Sequence, residues 1–119
     1  MRHTIHWFEI AVSDLDRATR FYETLLDVKL RREEQPGSSM AIFPYTEPGV
    51  GGGLVRDPRR AAGAGGTVVY LDADGKLDAC IARAGSAIIL PRTDIGPAGF
   101  IALIQDPDGN VVGLHSERA

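Results

Sequence analysis

The chain has 119 residues, 44% of them hydrophobic and 24% charged, which places it among soluble globular domains large enough for one core. A formal net charge of -3 and a pI near 5.5, with basic residues scattered apart from Arg31-Arg32 and Arg59-Arg60, exclude the electrostatic footprint of a nucleic-acid binder. No apolar run approaches the roughly 20 residues that cross a bilayer, the opening MRHTIHW lacks a signal peptide's apolar stretch, and Cys80 has no second cysteine to pair with, so a cytoplasmic protein without membrane attachment is expected.

Ile5 to Val12 is aromatic and β-branched and predicts a strand with two unlike faces. Phe8, Ile10 and Val12 form an apolar row, while Trp7, Glu9 and Ala11 point the other way. Ser13, with Asp16 three residues on, predicts a helix cap, and Ala18, Phe21, Tyr22, Leu25 and Leu26 then share one helical face to about Asp27. Val28 to Arg32 and Met40 to Tyr45 read as strands on either side of a polar loop, Glu33 to Ser38. Gly49 to Val55, with three successive glycines, predicts a strand beside a cavity. Arg56 to Gly66 has the composition of a connector.

After the connector the pattern restarts. Thr67 to Asp72 repeats the first strand, and Asp74 reads as the cap of a helix that buries Leu77, Cys80, Ile81 and Ala84 and stops at Gly85. Setting Asp74 on Asp14 puts the two first strands 60 residues apart. Ala87 to Leu90, Gly99 to Gln105 and Asn110 to His115 supply three more strands, the last two joined by Asp106-Pro107-Asp108-Gly109, where Pro107 presets the turn and Gly109 accepts a positive φ. Each half reads β-α-β-β-β. Module one spans about 2–55, the connector 56–66 and module two 67–116 of a single domain.

The segments FEIAVSDLDRATRFYE and DPDGNVVGLHS resemble the vicinal oxygen chelate superfamily, the glyoxalase, bleomycin-resistance and extradiol dioxygenase fold. The resemblance covers almost the whole chain and implies an α+β architecture in which two βαβββ modules form a curved mixed-sheet groove, with a small molecule held inside, usually over a divalent metal. Its metal ligands are implied at positions that here hold Trp7, Thr67, Gly113 and the strand through Gly51, Gly52 and Gly53. None of these is a family ligand, so no metal and no other cofactor is expected. The resemblance also implies a homodimer, since an open groove gains closure from a second copy.

Strand alternation puts Glu9 on the side of Trp7, and His115 on the side of Gly113, so Glu9 and His115 are the candidate acid-base pair of the groove. As a structural contact the pair is equally well explained. Trp7 is a natural ligand wall, joined as expected ligand contacts by Thr67, Val69, Gly52 and Gly113. His6 points opposite Trp7 and His3 sits near the terminus, which suits ordinary surface roles, and Cys80 reads as a small buried apolar residue. Three functions are open: a small-molecule binder without the usual metal, a metal-independent enzyme using Glu9 and His115 for proton transfer, and a lyase, isomerase or dioxygenase with a displaced metal site. The lost ligands favour the first.

Overall fold

A computed structural model describes residues 7–58, 60–64 and 68–118. In chain order the strands and helices are β1 (Trp7–Ala11), α1 (Leu15–Leu26), β2 (Arg31–Gln35), β3 (Ser38–Ile42), β4 (Gly51–Arg56), β5 (Val69–Asp72), α2 (Leu77–Ala84), β6 (Ile88–Asp94), β7 (Phe100–Gln105) and β8 (Val111–Ser116). The order β-α-β-β-β occurs twice, as the sequence predicts, and the fold is α+β. The strands divide into two four-stranded sheets, β1-β4-β3-β2 and β5-β8-β7-β6, each with one parallel pair, rather than one continuous eight-stranded sheet.

Local chemistry sets most boundaries. In α1 the cap is Asp14, not Ser13: its carboxylate accepts from the Arg17 amide, and Asp27 closes the helix in the left-handed region at φ 55°. The predicted polar loop after the second strand shrinks to Pro36-Gly37, because Gly37 takes φ 79° and lets Gln35 pair with Ser38. Gly109 takes φ 83° in the β7–β8 turn, as expected. Asp74 does not cap α2. Lys76 holds that position without a side-chain capping bond, and the Asp74 carboxylate instead accepts from the Glu117 amide, Ser116 Oγ and Arg118 Nε.

Each helix lies on one face of its own sheet, and the helix-side residues of both sheets merge into one core. Ile10, Leu25, Leu54, Leu71, Leu77, Ile104 and Leu114 are buried in it, with Phe21 and Ile81 half-buried against it. Polar ties cross the join: Tyr22 Oη donates to Asp106 Oδ2 at 3.0 Å, Asn110 Nδ2 to the Ala11 carbonyl at 2.8 Å and Arg83 Nε to the Leu25 carbonyl at 2.8 Å. Met40, Ile42 and Val55 form a separate small cluster on the other side of the first sheet. Among the described residues, no helix is long and apolar enough to cross a membrane.

Candidate functional site

The face of each sheet away from its helix is the open one, and register decides which side chains stand there. In the first sheet Trp7 pairs with Gly51 and Glu9 with Gly53, while Phe8 pairs with Gly52 on the helix side. Trp7 is 40% exposed, although an indole of that size is ordinarily covered in a small domain. Its ring meets Tyr45 edge to face, centroids 6.1 Å apart at 77°, and its Nε1–H donates to Glu9 Oε2 at 3.2 Å. Tyr45 lies across Gly51, where a Cβ would come within 2.6 Å of its ring. Gly51 is therefore a seat for an aromatic ring. Beside it, Lys29, Arg31, Ile42, Tyr45 and Glu47 line a cleft of about 480 Å³.

The other oxygen of Glu9 accepts from Arg60 Nη1 in the connector, and Arg60 Nε lies 4.0 Å from Asp57 Oδ2. The Glu9 carboxylate is thus committed on both sides, to an indole N–H and to a guanidinium.

On the second sheet Tyr70 pairs with Gly113 and Asp72 with His115. Tyr70 is 49% exposed and its ring covers Gly113, so this glycine too seats a tyrosine rather than leaving room. His115 Nε2 lies 2.6 Å from the Ala98 carbonyl, which only accepts, so that nitrogen carries the proton. Tyr70, Asp72, His115 and Glu117 line a cleft of about 340 Å³.

The structure therefore brings Trp7 and Glu9 together on one sheet and places Gly113 and His115 on the other. No hydrogen bond joins Glu9 to His115; each is held by different partners. Gly52 and Val69 fall on the helix side: a Cβ at Gly52 would overlap the Phe8 ring, and Val69 pairs with Val112 and packs on the core. Thr67, His3 and His6 lie outside the described residues. Tyr45, Tyr70 and Arg60 were not singled out by sequence reasoning. Only Tyr70 leaves a trace, as the outward partner of Leu71 in an alternating strand.

A divalent metal does not fit the described positions among those at which the family resemblance implies its ligands. Trp7 offers an indole N–H that is already given to Glu9, and Gly51 and Gly113 offer no donor and are covered by tyrosine rings. Among the described residues no three His, Cys, Asp or Glu side chains converge on a common point.

The sequence profile of the Glyoxalase/Bleomycin resistance protein/Dioxygenase superfamily matches residues 4–114. No curated protein matches the chain. Among solved structures, the fold is similar to a glyoxylase/bleomycin resistance protein/dioxygenase domain from Frankia sp. EAN1pec, at 20% identity and TM-score 0.74 over 98% of both chains. It is similar to an antibiotic binding protein from Streptomyces sp. CB03234 at 25% identity and TM-score 0.68, again over 98% of both chains. A fosfomycin resistance protein from Listeria monocytogenes shares the fold at TM-score 0.68 and 12% identity, over 98% of this chain and 94% of that one.

Proposed function

Because the chain belongs to the Glyoxalase/Bleomycin resistance protein/Dioxygenase superfamily, we propose that it binds a small organic molecule on the open face of its first sheet, against Trp7 and Tyr45, without a metal at the family's usual positions. The observation that carries this reading is the exposed edge-to-face pair of Trp7 and Tyr45 set over Gly51. Two large rings left half in water beside a cleft offer apolar area that a flat ligand would cover. The similarity to an antibiotic binding protein supports the same class of ligand.

The binding unit is a homodimer. Each sheet has an open face turned away from the helix-side core that the two share, and a second copy sets the first sheet of one chain against the second sheet of the other. In that pairing Glu9 of one copy and His115 of the other line one groove. The half-exposed Trp7, Tyr45 and Tyr70 gain cover there as well.

Calorimetric titration with 2-naphthol tests the site. Trp7→Ala should weaken binding by about 1–3 kcal/mol and leave folding largely intact. Equal affinity in both proteins would refute the site. Light scattering at micromolar concentration should return twice the chain mass; a monomer mass would contradict the dimer.

A further inference from the structure

We propose that the ligand of this groove is a planar organic cation, and that Arg60 is the chain's own stand-in for it. The inference rests on the small-molecule reading above and narrows the ligand class. Arg60 donates through Nη1 to Glu9 Oε1, while its Nε faces Asp57 Oδ2 at 4.0 Å. Two carboxylates from different segments thus converge on one flat guanidinium. The second Glu9 oxygen is held at 3.2 Å by the Trp7 indole, which fixes the carboxylate beside an exposed aromatic ring. The arrangement has the parts that recognise an amidinium or guanidinium: a carboxylate to accept its N–H groups and aromatic walls at Trp7 and Tyr45.

Arg60 is poised to leave. Its side chain is half exposed, and it sits in the connector rather than in a strand or helix. An exposed ion pair of this kind shifts an equilibrium by only about fivefold or less. A ligand cation that also covers the faces of Trp7 and Tyr45 buries aromatic area that an arginine stem does not, and so replaces it. At Trp7 an anionic ligand would face the Glu9 carboxylate, with Lys29 and Arg31 lining the cleft only on the Tyr45 side, and a neutral one would leave Arg60 in place.

Trp7 is the only tryptophan, so its fluorescence reports the site directly. The full chain is titrated at low ionic strength with three probes of like size: benzamidine hydrochloride, benzyl alcohol and sodium benzoate. Benzamidinium should bind about three- to tenfold more tightly than benzyl alcohol, and benzoate most weakly. Arg60→Gln should widen the ratio of cation to neutral affinity, and Glu9→Gln should collapse it to about one. Equal binding of all three probes at Trp7 would overturn the cation preference and leave the small-molecule reading standing. A narrower ratio in Arg60→Gln would make Arg60 a ligand contact and overturn its role as competitor. No response to any probe would overturn both.

Discussion

The two sheets seat a tyrosine on a glycine by different routes. In the first, Tyr45 arrives from the segment after β3 and lies over Gly51 beside Trp7; in the second, Tyr70 projects from β5 directly over its strand partner Gly113. The first arrangement makes an aromatic corner, and the second a single exposed ring. Gly52 gives the contrast. It differs from Gly51 by one position, yet faces the helix side and packs under Phe8. A glycine on the open face shapes a binding surface, and one on the helix side permits close packing of the core.

Gly52→Ala should sharpen that contrast most. Its Cβ would overlap the Phe8 ring and stand 2.5 Å from the Phe8 carbonyl oxygen, and a strand backbone has no room to retreat. A loss of about 2–3 kcal/mol in urea unfolding is expected. Tyr22→Phe, at the join of the two modules, should cost about 1–2 kcal/mol by removing a buried donor from Asp106. Burial, and then the charge of Asp106, hold the Tyr22 hydroxyl far above its ordinary pKa of 10.0. The neutral hydroxyl's contribution is complete below pH 10 and is lost as pH rises beyond it, so the gap between wild type and Tyr22→Phe should narrow in alkaline unfolding curves.

Gly113→Ala should cost under about 1 kcal/mol, because the nearest atoms a Cβ would meet all belong to the half-exposed Tyr70 ring, which can swing into solvent. A loss equal to that of Gly52→Ala would erase the distinction between the faces. The smallest effect belongs to Asp74→Asn. The Glu117 amide, above all, holds the Asp74 carboxyl below its ordinary pKa. That stabilisation is present above the ordinary value and disappears as pH falls through the lowered one. Faster amide exchange at Glu117 and Arg118, with an unchanged core, is the expected result.

The element order was legible because hydrophobic period and turn residues agree along the chain, as in the alternation of Val112, Leu114 and Ser116 toward the core. The faces of two candidate site residues were not. Taking Asp74 as the helix cap aligned Val69 with Glu9, but Val12 and Ala73 close equivalent strand pairs, one residue further along than that offset. With a period of two, one residue reverses every face, so the counterpart of Glu9 is Tyr70 and Val69 turns inward. Gly52 was illegible for another reason. Three glycines in a row carry no side chain whose polarity could mark a face. Arg60 reaches the site from the connector, where no periodicity applies, and Tyr45, read as the end of a strand, lies beyond Ile42, where β3 stops.

Amide and indole shift mapping by NMR during titration with 2-naphthol tests the central claim most directly. The single Trp7 indole signal and the amides of Tyr45, Gly51 and Gly53 should move together and saturate with one affinity. A second crevice, lined by Phe8, Val28, Val50, Leu71 and Lys76 where the modules meet, should remain unperturbed. Shifts confined to that crevice, with the Trp7 indole unmoved, would contradict the assignment of the binding face.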